Sequence, residues 1–224
     1  MLDQRLATRV ENFVSRLKRE SVCMHGFILD VRGEVKATAY YPPFVEGEAH
    51  RMYSVSKSMT ALAIGLLLDE GKISLDDCIA DYFRDILPEK PDARLLRLKI
   101  RDMLRMATCY RATVYRETDD DWTKPFFTAE PTHEPGTVFH YDTGCSQVLA
   151  ALVARLTGQQ VMDYLTERVF TPLGADDEKH WLRDPAGTCQ GGTGLCMSLR
   201  DLHKVTRLVM DGGRGILPEW FCRE

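Results

Sequence analysis

The sequence has no long hydrophobic run. Its longest, Met59–Leu68, is far shorter than the about 20 residues needed to cross a bilayer, so no membrane association is expected. It has no basic excess either. Twenty-nine Lys and Arg stand against 33 Asp and Glu, a net charge of −4, and nucleic acid is not expected as a partner. The N-terminal stretch MLDQRLATRVENFVSRLKRE lacks the apolar segment and cleavage site of a secretory leader, so the expected location is cytoplasmic. The seven cysteines are odd in number and form no C-x-x-C pair. They are expected to be buried free thiols, not disulfides or zinc ligands. None of the six histidines has metal-site spacing, and no metal or other cofactor is expected. There is no internal repeat, low-complexity tract or Gly/Ser linker.

What is present is an ordinary globular composition, 44% apolar and 28% charged, over 224 residues. That suits one large domain or two small lobes. Leu6, Val10, Phe13, Val14 and Leu17 recur at helical spacing over 3–20. GFILDV (26–31) and VKATAYY (35–41) read as strands joined by Arg32-Gly33-Glu34, a hairpin. PPFVEGEAHR reads as a loop. Helices are expected from Ser54 to about Asp69, over 99–108, 143–157 and 159–170, and from Ser198 as cap to Gly212. Residues 109–138 suit a long functional loop, and residues 174–194 also read as loop. Trp122, Phe126 and Phe127 are expected to pack the helical part more than to line a cleft. Helix, hairpin, then helices and loops make an α+β chain in which no strand beyond the hairpin is evident.

Two S-x-x-K patterns occur. Ser15–Lys18 lies inside the charged first helix and reads as two solvated residues. Ser54-Val55-Ser56-Lys57 instead opens a helix, MTALAIGLLLDEGK, that is apolar on nearly every face. A serine at a helix N-terminus sits near free N–H groups and the positive end of the dipole, which favour negative charge. Residues three apart share a helix face, with Cβ atoms about 5–6 Å apart, so Lys57 can reach Ser54. Desolvation against an apolar helix would favour its proton-accepting form. The alternative is that Ser54 only caps the helix and Lys57 reaches out to solvent. Tyr141, between the turn Pro135-Gly136 and the next helix, is placed for exposure at a cleft. A neighbouring cation such as Lys57 would bring its phenol below the usual value of about 10. A tyrosine packed beneath the turn is the other reading. The cap of that helix is Asp142 or Thr143. The stretch Gly191-Gly192-Thr193-Gly194 lacks the strand–loop–helix setting of a phosphate loop.

Taken in order, YSVSKSMTALAIGLLLDEGKISLDD, EPGTVFHYDTGCSQVLAALVARLTG and GGTGLCMSLRDLHKVTRLVMDGG resemble landmarks of the serine β-lactamase-like superfamily, which includes class C β-lactamases, DD-peptidases and related esterases. The resemblance covers most of residues 26–215. It implies a β-lactamase/DD-peptidase-like α+β fold. An N-terminal helix and hairpin would occupy 1–52 and a helical lobe 53–215. It implies Ser54 as acylated nucleophile, Lys57 as proton-transfer partner, Tyr141 as base or relay, and Thr143 at the substrate-binding position usually held by Asn. A small-molecule ester or amide would be the substrate, in an esterase-like reaction. The family's third motif, K-[ST]-G or H-x-G on a later strand, is absent from these residues. That absence leads us to expect a fragment, 216–224 being the start of the missing part, with reduced or no activity. It also leaves the sheet as the N-terminal hairpin alone, open to self-association. The rival expectation is a catalytically inactive binding protein that keeps the fold.

Overall fold

The computed structural model describes residues 4–223. Met1, Leu2, Glu224 and Asp3, which the sequence places in the first helix, lie outside the described residues. Helix α1 (Gln4–Arg19) leads into the hairpin β1 (Gly26–Val31) and β2 (Glu34–Tyr40). The pair is antiparallel from Gly26↔Tyr40 to Val31↔Glu34, with an irregularity at Leu29/Asp30. Phe13 of α1 meets Phe27 of β1 edge-on, ring centroids 5.9 Å apart. Ser15 and Lys18 are both exposed on α1, as expected for the decoy pattern.

The hairpin is not the whole of the sheet structure. A second, three-stranded antiparallel sheet has the order β3–β5–β4, from β3 (Ala49–Arg51), β4 (His180–Trp181) and β5 (Leu195–Ser198). This corrects the expectation of an N-terminal hairpin only, and of loops throughout 42–51 and 174–194. Strands of two to four residues are too short to show an alternation. They are held by long-range pairing, Ala49↔Ser198 through Arg51↔Cys196 and His180↔Cys196. β3 therefore binds the first fifty residues to the distant strand β5.

Helix α2 (Val55–Asp69) forms the centre of the helical part. Met59, Leu62, Ala63, Ile64, Leu66 and Leu67 are all buried, because helices and loops surround it. Two 3-10 turns (Ile79–Tyr82 and Arg84–Ile86) and the short helices α3 (Ala93–Leu96) and α4 (Ile100–Leu104) follow. The helix expected over 99–108 stops early: Met106 has φ of 53°, and Gly136 N–H binds the Ala107 carbonyl at 2.8 Å. The long loop carries α5 (Lys124–Thr128), which puts Phe126 and Phe127 into the core as expected.

Helix α6 (Thr143–Thr157) packs against α2 and is buried along most of its length. α7 (Val161–Leu165) runs through a wider π turn (Thr166–Phe170) into α8 (Thr171–Leu173), three residues beyond the expected end. α9 (Leu199–Met210) is capped by Ser198, whose Oγ accepts from Asp201 N–H at 3.1 Å. α9 lies against the hairpin, where His203 Nε2 meets Asp30 Oδ2 at 3.0 Å. α10 (Glu219–Arg223) sets Phe221 against Gly65 of α2. All seven cysteines are free. Cys109, Cys145, Cys189 and Cys196 are buried, Cys78 and Cys222 partly so, and Cys23 is exposed, so burial accounts for only part of the set. Among the described residues no helix is long and apolar enough to cross a membrane.

Candidate active site

The turn from β3 into α2 builds the site. Tyr53, with no glycine's freedom, takes φ of 45°, a left-handed conformation costing a bulky residue about 1–2 kcal/mol. It throws Ser54 outward at the helix N-terminus. Ser54 makes no side-chain cap bond, which removes support for a purely capping role. The N–H groups that follow are occupied: Val55 to Met52 O at 3.1 Å, Ser56 to Tyr53 O at 3.0 Å, Lys57 to Ser54 O at 3.1 Å. One turn on, Lys57 folds back. Its Nζ donates to Ser54 Oγ at 3.4 Å and to the Gly192 carbonyl at 2.8 Å. Lys57 is half-buried and does not run out to solvent.

Tyr141 arrives from the other side, just before α6. The helix cap is Asp142, the first of the two readings. Its Oδ1 accepts from Gly144 N–H and from Thr113 Oγ1, each at 2.7 Å, and Thr113 Oγ1 accepts from Thr143 N–H at 3.1 Å. This knot leaves Tyr141 exposed, with its ring 4.9 Å from Lys57 Nζ. A hydrogen bond with Ser54 holds the Tyr141 phenol below the ordinary tyrosine value. Burial pushes the other way, and the bond and charge of Lys57, each smaller than the burial effect, lower it further. Ser54, Lys57 and Tyr141, 87 residues apart in sequence at their extremes, therefore meet at one point.

Thr143 lines the adjoining cleft of about 670 Å³ with Arg51, Tyr53, Tyr115, Trp122 and Gln190. Tyr115 stacks on Trp122 at 4.7 Å, and the Arg51 guanidinium lies 4.9 Å from the Tyr53 ring. Trp122 thus has both roles weighed for it, packing and lining. A second hollow of about 200 Å³ lies behind Lys57 beside Thr60, Met103, Met106 and Ser146.

The glycine stretch 191–194 belongs to the site, which its sequence context did not reveal. A Cβ on Gly191 would lie 2.1 Å from the Ser146 carbonyl oxygen, and one on Gly192 would lie 2.4 Å from Thr143 Cγ2 and 3.1 Å from Lys57 Nζ. The chain must be bare there to pass between α2 and α6. Thr60 Oγ1 donates to the Gly191 carbonyl at 2.8 Å, and Leu195 N–H donates to Ser56 Oγ at 3.0 Å. The signal in the sequence was three glycines in four residues; missing was any local pattern naming their partners.

One acidic group elsewhere has the proximity of a metal site: Asp176, Asp177 and Asp201, with carboxylate oxygens within 4.8 Å of one another. Protein cations already occupy it. Lys179 and Lys204 each reach Asp201 at 3.1 Å, and Arg200 pairs with Asp177 and holds its carboxyl below the usual range.

The β-lactamase family model matches residues 26–221, most of the chain. This chain belongs to the beta-lactamase family. It is 28% identical to the 6-aminohexanoate-dimer hydrolase of Paenarthrobacter ureafaciens over 93% of its own length and 57% of the relative's. A putative 6-aminohexanoate-dimer hydrolase from Bacillus anthracis superposes with TM-score 0.77 at 19% identity, over 93% of this chain and 60% of that one. EstCE1, described as a hydrolase with promiscuous acyltransferase activity, superposes with TM-score 0.78 at 19% identity, over 98% and 76%. A putative beta-lactamase from Bacteroides dorei superposes with TM-score 0.79 at 19% identity, over 96% and 68%, and these likenesses show the β-lactamase-type fold expected from the sequence. The chain thus spans little more than half the length of that curated relative, 57%.

Proposed function

We propose that this chain carries the acylation machinery of a serine hydrolase acting on an ester or amide. Carrying the reading is the meeting of Ser54 Oγ, Lys57 Nζ and the Tyr141 phenol at a helix N-terminus beside an open cleft. A hydroxyl nucleophile needs a neighbouring group to take its proton, and a phenol held below its usual value is suited to that work. In this reading Ser54 Oγ attacks the carbonyl carbon and passes its proton to Tyr141. Lys57 keeps the tyrosine's ionised form favourable and helps return the proton to the leaving group. The Ser54 N–H, at the positive end of α2, stabilises the oxyanion. Water then attacks the acyl-serine ester and releases the acid. Thr143 offers a hydroxyl to the substrate; unlike an amide it has no separate donor and acceptor atoms.

Amide and ester cleavage are both in keeping with the relatives, one named for hydrolysis of a 6-aminohexanoate dimer and another as a promiscuous acyltransferase. With no K-[ST]-G or H-x-G in its 224 residues, the chain has a single evident oxyanion donor. Loss of one donor lowers turnover roughly 10²–10³-fold in serine hydrolases, so slow turnover is expected. The rival, a catalytically inactive binding protein, rests on that same absent motif. Rapid mixing with a p-nitrophenyl ester decides between them. A nitrophenolate burst matching the enzyme concentration, absent in Ser54→Ala, is expected; a folded chain giving no burst favours the binding protein.

A further inference from the structure

Behind the glycine stretch lies a buried polar chain that the reaction above does not use. Asp184 is 4% exposed and Gln147, on α6, is 1% exposed. Three donors reach the Asp184 carboxylate. Thr188 N–H donates to Oδ1 at 2.8 Å, while Gln147 Nε2 at 3.1 Å and Trp122 N–H at 3.3 Å donate to Oδ2. Burial raises its carboxyl above the usual value, opposed by the Thr188, Trp122 and Ala186 N–H groups, and the Asp121 charge adds to the rise. Gln147 then turns its other end to the site: Oε1 accepts from Gly191 N–H at 3.1 Å. Two carbonyls follow that N–H: Gly191's accepts from Thr60 Oγ1 at 2.8 Å, and Gly192's from the Lys57 ammonium at 2.8 Å.

The chemistry fixes the direction of this chain. A carboxylate only accepts, so Gln147 must present its NH₂ to Asp184 and its oxygen to Gly191. A neutral group at 184 would weaken that constraint, leaving the Gly191 N–H alone to hold the amide. We propose that Asp184, acting through the amide orientation of Gln147, is a positioning residue that sets the Gly191–Gly192 backbone as the anchor for Lys57. The same carboxylate holds the Trp122 backbone, so the anchor and one wall of the cleft share a single buried tie. The proposal rests on the acyl-enzyme reading for its purpose, though not for its test.

The test follows Lys57 and Ser54 without turnover, through the ¹³Cε resonance of Lys57 at one fixed pH, assigned by its loss in Lys57→Arg, and through fluorophosphonate labelling of Ser54. In Asp184→Asn the Gln147 amide loses its charged acceptor, the Gly191–Gly192 backbone is held less firmly, and the ammonium's contact with the Gly192 carbonyl loosens. The Lys57 resonance shifts, and labelling slows about tenfold. The double variant Asp184→Asn/Gln147→Glu reverses donor and acceptor along the chain. The amide now at position 184 donates to the carboxylate now at position 147, which still accepts from Gly191 N–H. Trp122 N–H, 3.3 Å away, loses its acceptor there. The resonance returns toward its wild-type position, and labelling recovers to within about threefold. Gln160→Ala removes the acceptor of Cys189 N–H, 2.9 Å away. It lowers Tm and leaves both readouts in place, which separates positioning from mere stability. Should Asp184→Asn fail to fold, Gln147→Met keeps the shape, removes the acceptor and is expected to have the same two effects. An unchanged resonance and labelling rate in folded Asp184→Asn or Gln147→Met overturns the proposal. A wild-type chain that shows the Lys57 resonance but takes no phosphonate overturns the acyl-enzyme reading instead.

Discussion

At the scale of single residues, the site depends on side chains whose meaning comes from their setting. Ser15 and Lys18 have the spacing of Ser54 and Lys57, yet both sit exposed on a surface helix. What distinguishes the second pair is visible only partly in sequence: the apolar helix behind it was legible, the strained Tyr53 in front of it was not. Tyr141 is the proposed source of pH dependence. Its phenol is held below the usual value, so its ionised form appears at lower pH than in free tyrosine. If that form accepts the proton, kcat/KM rises with pH along a limb whose midpoint lies below about 10. Tyr141→Phe is expected to remove the limb and lower kcat/KM at least about 10²-fold, as read from a pH–rate profile. Gly192→Ala is expected to be nearly as damaging, because its Cβ would displace Thr143 and crowd Lys57. A threefold or smaller loss of burst rate would show that the loop yields freely.

Elements differ in how much of themselves they declare. α1, α2, α6 and α9 were legible because each is long enough to show a helical period or an apolar run. Ser198 and Asp142 cap as their residue types predict. α4 was overread, since KIRDMLRMAT keeps its helical pattern past the point where the chain turns at Met106 to meet the long loop. β3, β4 and β5 were missed because strands of two to four residues are specified by their partners and not by their own pattern. Two stability predictions belong here. Ser198→Ala removes the α9 cap and is expected to cost about 1 kcal/mol, measured by urea unfolding. Leu67→Ala, at a fully buried position of α2, is expected to cost about 2–5 kcal/mol by the same measurement. The contrast matters: a cap ends one helix, whereas α2 packs against α6 and α7 in the core.

Over the whole molecule, the proposed function rests on closing distances in sequence. Ser54 and Lys57 come from one segment, Tyr141 and Thr143 from another, and Gly191 and Gly192 from a third. α2 and α6 bring the first two together, and the β3–β5 pairing fastens the third. The sequence could name the first two segments through their local patterns. It could not name the third, whose role lies in backbone atoms that any residue possesses and in side-chain space that only the fold defines. The same logic accounts for Asp184 and Gln147, ordinary polar residues until burial makes them a directed chain. The central claim is that the three segments assemble an acylating serine. The most direct measurement is intact-mass and peptide mapping of the folded chain after treatment with a fluorophosphonate. One adduct per chain, located on Ser54 and absent in Ser54→Ala, is the predicted result. A folded chain that remains unmodified, or one that is modified at another residue with Ser54 untouched, would contradict it.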